Sequence, residues 1–156
     1  MQEVSPMMTT EALHDYLQTQ GADFALIHQE APIRTAQDGA KYFPPEKAAP
    51  TLVVQTEQGL MSLIFSAQRG RLDLEAIRLA AGLEKLKLAD RKKVAKQTGY
   101  EAGSIPLVGL GLPCIFDDRL LSLDYVYGGC GDELVTLKIS PKDVKRLNPV
   151  ICSLTD

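Results

Sequence analysis

The sequence is poor in the groups that mark several common functions. It has three cysteines, Cys114, Cys130 and Cys152, with no CxxC spacing and an odd total. That pattern excludes a disulfide framework or a zinc ribbon and predicts free thiols in a reducing compartment. Its two histidines, His14 and His28, have no Cys, Asp or Glu at ligand spacing, so no metal is expected. Neither a GxxxxGK[ST] loop nor a dinucleotide fingerprint is present, which disfavours nucleotide-driven chemistry, and no cofactor is expected. No apolar run reaches the roughly 18 residues that a membrane helix needs. The opening MQEVSPMM lacks the charged start and apolar middle of a signal peptide, so a cytoplasmic protein without a membrane partner is expected. The net charge of -3 argues against DNA, or any nucleic acid, being coated over a wide surface. RNA contact would have to come from a local patch.

What is present reads as an ordinary globular chain. Apolar residues make up 45% and charged residues 24% of 156, enough for one domain with a sizeable core. Residues 1–8 are expected to be a flexible leader and 9–156 a single domain. Thr9 or Thr10 caps a helix to Gln20, and FALIH (24–28) reads as a strand. Residues 35–42 can form a short helix that Pro44-Pro45 ends. TLVVQT (51–56) and LMSLIFS (60–66) flank EQG as a buried hairpin. Asp73 and Gly82 bracket one helix, and Asp90 and Gly99 another, with a short apolar turn at Leu86 and Leu88 between them. LPCIF (112–116), DYVY (124–127) and ELVTLKI (133–139) are three short strands, and Ser140-Pro141 starts a last helix. The class is α/β (α+β): one mixed, mostly antiparallel sheet with helices on its flanks.

The segment TGYEAGSIPLVGLG (98–111) concentrates four glycines and a proline in one loop. Glycine clusters mark turns or places where a ligand meets the main chain. Gly99 reads locally as a helix stop, and Gly109 and Gly111 as brackets of a turn. Gly103 and Ser104 carry too little bulk to keep a reacting group from the backbone. Together with RLDLEAI, LPCIFD and YVYGGCG, in this order, the loop resembles the YbaK/prolyl-tRNA synthetase-associated family over nearly the whole chain. The resemblance implies a barrel-like fold and hydrolysis of the ester of a small mischarged amino acid on tRNA, acting in trans. It implies that the amides of Gly103 and Ser104 hold the ester carbonyl while a ribose hydroxyl or water attacks. Ile105, Pro106, Gly109, Asp117, Gly128 and Gly129 are the matching substrate-binding positions.

One departure from the family pattern stands out. Many members carry a lysine directly before the apolar strand, where KAAPTLVV places Pro50. Lys47, three residues upstream, is the substitute candidate, with Lys41 more distant; burial would lower the pKa of such a lysine. Its other reading is a solvated loop residue. Arg91, Lys92, Lys93 and Lys96 in DRKKVAKQ form a patch for the tRNA acceptor end, which Arg69 and Arg71 could extend, with KDVKRL as a weaker echo. A synthetase is the candidate delivering partner. Cys130 in GGCGDE reads as a buried thiol or a pocket residue, and Asp117-Asp118 as turn formers. Pro50 keeps open a second reading, a catalytically inactive module that binds an aminoacyl group, a carboxylate or a protein partner.

Overall fold

The computed structural model describes residues 9–33 and 36–155. The expected leader, residues 1–8, lies outside them. Among the described residues the elements run α1 (Thr10–Thr19), β1 (Phe24–His28), α2 (Ala36–Ala40), β2 (Thr51–Thr56), β3 (Gly59–Ile64), α3 (Leu74–Ala81), β4 (Leu86–Leu88), α4 (Arg91–Thr98), β5 (Cys114–Asp117), β6 (Val126–Gly129), β7 (Val135–Ile139), α5 (Pro141–Leu147) and β8 (Val150–Leu154). Short 3₁₀ turns occupy Pro45–Lys47, Ala67–Arg69, Ala102–Ser104 and Asp118–Ser122.

Local chemistry sets the helix ends. Side-chain oxygens of Thr9, Asp73 and Asp90 accept the amides of Ala12, Ala76 and Lys93, which satisfies donors the first turn leaves over. Gly82 and Gly99 close α3 and α4 in the left-handed region. Leu13 and Leu17, one turn apart, bury the inner face of α1.

The strands form two sheets, not the single barrel-like sheet expected. One has the order β1-β7-β6, the other β4-β2-β3-β5-β8. Pairing is mostly antiparallel; β5 runs parallel to both β3 and β8. No barrel closes among the described residues; an isolated parallel bridge between Ala48, just before β2, and Tyr127 of β6 links the two sheets. Leu86–Leu88, expected as a turn, adds the edge strand β4 to β2, and β8 was not expected at all.

The segment between α2 and β2 stitches the two sheets together. Ala49 donates to the Tyr127 carbonyl at 2.8 Å, Phe65 donates to Pro50 at 3.2 Å and Ala67 to Ala48 at 3.1 Å. A buried carboxylate fixes the turn that follows β3. Asp117, fully buried at the end of β5, accepts the Ser66 amide at 2.9 Å, the Arg119 amide at 3.0 Å and the Arg69 guanidinium through two bonds of 2.6 and 2.9 Å. This paired geometry satisfies both carboxylate oxygens. Asp117→Ala removes a fully buried carboxylate that accepts four hydrogen bonds, two of them from the Arg69 guanidinium, so it should destabilise the protein by about 3–5 kcal/mol. Denaturant unfolding checks this, and a loss under 1 kcal/mol, roughly the scale of an exposed pair, would contradict the structural role.

Candidate functional site

A cavity of about 470 Å³ opens where the two sheets meet. Its size is in the ordinary range for small-ligand sites. Gly39, held without a side chain because a Cβ there would meet the Phe43 ring at 2.8 Å, seats that ring in the wall. Phe43 stacks on Tyr127 with centroids 5.1 Å apart and planes 6° from parallel. Ile33, Pro45, Ala48, Pro50 and Leu52 continue the apolar wall. Ala102, Gly103, Ser104 and Ile105 also line it, as do Glu133 and Asp132, whose carboxylate accepts the Leu134 amide at 2.9 Å.

The glycine loop reaches the cavity because backbone packs directly on backbone. Leu107 donates to the Gly129 carbonyl at 2.9 Å. A Cβ on Gly129 would lie 2.3 Å from the Ile105 carbonyl oxygen. One on Gly128 would lie 2.6 Å from the Leu107 side chain and 3.0 Å from the Ala49 carbonyl. Asn148 anchors the far side, donating to the Leu107 carbonyl at 2.8 Å and that of Val144 at 2.7 Å. The paired glycines after β6 therefore allow close approach as well as lining the cavity.

The two expected backbone donors are not equivalent. Ser104 donates its amide to the Glu101 carbonyl at 2.9 Å, closing the 3₁₀ turn, so that N–H is spent inside the fold. Among the described residues no acceptor is paired with the Gly103 amide. Gly103 is exposed, and a Cβ built on it meets nothing within 4 Å.

The other expected residues divide. Ile105, Gly128 and Gly129 line the cavity with Gly103 and Ser104. Pro106, Gly109, Asp117 and Lys47 are not among its lining residues. Pro106 is buried beside the loop, Gly109 turns the chain at φ 93°, and Asp117 is committed to Ser66, Arg69 and Arg119. Lys47 points its Nζ to Asp124 at 2.8 Å. That hydrogen bond raises the lysine pKa above its ordinary value, the reverse of the lowering expected for a buried lysine. Arg91, Lys92, Lys93 and Lys96 are all exposed on α4, outside the cavity; Lys93 also donates to Gln55 at 2.6 Å. Cys130 is buried with its Sγ 3.4 Å from the Val135 carbonyl, and burial raises its pKa. Burial pushes Cys114 up to about 11. Neither is set up as a nucleophile.

Thr51 was missed from the sequence. It follows Pro50 at the start of β2 and lines the cavity, and its Oγ1 is buried without a hydrogen-bond partner. The hydroxyl has almost no accessible surface, so it lies within the wall rather than on the face of the cavity. The only sequence signal is a hydroxyl residue opening an otherwise apolar strand. By contrast, the polar lining residues Gln29 and Thr136 satisfy one another, the Thr136 hydroxyl donating to Gln29 at 2.6 Å.

Known proteins share this fold. The family model for the aminoacyl-tRNA editing domain matches residues 30–147. A search of curated proteins finds no match. The crystal structure of the hypothetical protein APE2540 superposes with a TM-score of 0.80 at 25% identity, covering 90% of this chain and 96% of that one. That of a candidate trans-editing enzyme for prolyl tRNA synthetase gives 0.77 at 25% identity, covering 99% of each chain. A computationally designed epitope scaffold shares the fold, with a TM-score of 0.75 at 24% identity, covering 91% and 92%.

The packing makes the glycines separable by experiment. Gly129→Ala should destabilise the protein by about 1–3 kcal/mol, because a methyl group must displace main chain. Gly103→Ala should stay within about 0.5 kcal/mol of the native protein. Equal melting temperatures for the two variants would refute the close-packing account.

Proposed function

The chain belongs to the aminoacyl-tRNA editing domain family, and from that premise we propose that it is an aminoacyl-tRNA deacylase acting in trans. Its substrate would be a tRNA mischarged with a small amino acid, whose ester bond it hydrolyses. The observation that carries this reading is the Gly103 amide, unspent among the described residues, at a cavity of about 470 Å³. That volume exceeds a small side chain and suits an aminoacyl ester together with its terminal ribose.

In this reading the ester carbonyl points at the Gly103 N–H. Attack by water moves negative charge onto the carbonyl oxygen, and collapse of the intermediate releases the ribose oxygen, which takes up the proton that water loses. A fixed amide donor stabilises that charge without reorganising, and losing one such donor typically costs about 10²–10³ in rate. Asp132 and Glu133 suit the substrate's α-ammonium group, and the Phe43–Tyr127 wall its apolar parts. Lys47 stays outside the reaction, paired with Asp124. The exposed α4 residues Arg91, Lys92, Lys93 and Lys96 would meet acceptor-stem phosphates. A synthetase partner, a cytoplasmic setting and one domain over 9–156 accompany this reading.

Pro50 at the position where many family members carry lysine favours a second reading, a module that binds the aminoacyl end without cleaving it. Purified protein incubated with tRNAs charged with alanine, cysteine, serine or proline separates the two. The deacylase reading expects turnover on at least one, lowered about tenfold or more in Gly103→Ala, since a methyl group intrudes where the ester must approach. Aminoacyl-tRNA binding without turnover on any of them would establish the module.

Lys47 gives an independent check. A pKa raised by Asp124 keeps the ammonium protonated well above neutrality, so this group does not titrate near pH 7. The rate profile across roughly pH 6–8 should therefore have the same shape in Lys47→Ala as in the native protein. A pH dependence that disappears in the variant would return Lys47 to the mechanism.

A further inference from the structure

Two aromatic rings stand in the cavity wall outside the core of the protein. Phe43 and Tyr127 are both only half-buried, and neither joins a buried apolar cluster among the described residues. They stack with planes 6° from parallel and centroids 5.1 Å apart, within the range that aromatic faces prefer.

Local sequence places both rings. Gly39 lies inside α2 without the positive φ that would call for glycine, and glycine is a poor helix residue. Its missing Cβ is what seats Phe43, since that atom would stand 2.8 Å from the ring. Tyr127 is directed by the alternation of β6. Val126 is fully buried and a Cβ on Gly128 would meet the core residue Leu107, so those two positions face the core. Tyr127 and Gly129 therefore share the opposite face, and both line the cavity. Gly129 seats the Ile105 carbonyl, so Tyr127 stands roughly 7 Å along the strand from the point that anchors the glycine loop.

We propose that the Phe43–Tyr127 pair is a platform on which the terminal nucleobase of the RNA 3′ end stacks. In an aminoacyl-tRNA one ribose carries both the ester and that base. A base site must therefore lie within one sugar of the group that meets the ester. The two-residue step along β6 meets this requirement between the rings and the loop that holds Gly103. Every base presents a flat π-face, and aromatic side chains hold it by stacking without reading its edges. Stacking needs no charge on the protein, which fits a lining that includes Asp132 and Glu133 but no arginine or lysine. The inference rests on the deacylase reading for the identity of the RNA end, and it narrows the ligand of this wall to the base.

Unacylated RNA tests the stack without involving hydrolysis. A hairpin with a single-stranded CCA 3′ end, labelled at its 5′ end, is titrated with protein by fluorescence anisotropy. The same hairpin made abasic at its last nucleotide is titrated beside it. The native protein should bind the abasic end about tenfold more weakly. Phe43→Leu and Tyr127→Leu keep apolar bulk but lose a π-face, so each should lose most of the difference between the two ends. Phe43→Tyr should keep that difference, because the ring remains. Melting curves show whether the variants are folded, and the native comparison needs no variant. Equal affinity of the native protein for the intact and abasic ends would overturn the proposal. So would a difference that survives in both folded leucine variants, or a native protein that binds neither hairpin. A protein that stacks the base yet cleaves no ester would leave this inference standing and remove the deacylase reading alone. Ester cleavage by a protein indifferent to the base would do the reverse.

Discussion

The contact on which the site depends is the seating of the Ile105 carbonyl against Gly129. Main chain meets main chain there at a spacing no side chain would tolerate, since a Cβ would lie 2.3 Å from the oxygen. Leu107 then bonds to the Gly129 carbonyl, and Asn148 ties the Leu107 carbonyl to α5. With residues 105–107 fixed to β6, the turn at Ala102–Ser104 is fixed at the cavity. The glycines of this region therefore serve different ends. Gly128 and Gly129 permit contact, Gly99 and Gly109 permit positive φ, and Gly103 leaves space open.

Around the cavity, charge is spent in pairs. Lys47 meets Asp124, Arg69 meets Asp117, and Lys145 meets Asp118 at 2.8 Å. Within the lining, Gln29 is held between the Thr136 hydroxyl and the carbonyls of Ala31 and Glu133. In the proposed reaction the Gly103 N–H is the neutral dipole that would meet the ester, at a cavity whose lining also includes Asp132 and Glu133. Dipoles held by a rigid fold stabilise developing charge because they need not reorient when it appears.

Legibility in the sequence followed the range of the interactions. The caps at Thr9, Asp73 and Asp90 and the stops at Gly82 and Gly99 are local, and each lies where the sequence put it. The hairpin of β2 and β3 was legible for the same reason. β8 was not, because VICSL becomes a strand only by pairing in parallel with β5, far away in the chain. Leu86–Leu88 is too short to show a period of two, and β2 decides its conformation. The division into two sheets depends on Ala48–Pro50 bonding to both, which no local pattern carries. At the site, the loop's placement was legible and its hydrogen bonding was not. That Ser104 N–H turns inward to Glu101, or that Asp124 captures Lys47, depends on fractions of an ångström and on contacts remote in sequence.

The replacement of lysine at position 50 can be understood from the same geometry. Pro50 lines the cavity, so this position borders the place where a ligand would sit. Proline has no N–H to leave unpaired there, while its carbonyl still accepts from Phe65, so the stitch between the sheets survives. A lysine in so apolar a wall would carry a desolvation cost offset only by a bound anion or a neighbouring carboxylate. This chain removes that cost, and the next residue, Thr51, keeps its hydroxyl buried and unpaired within the wall. In the proposed reaction, rate would then depend on how closely Gly103 approaches the ester, and so on the packing of Ile105 against Gly129.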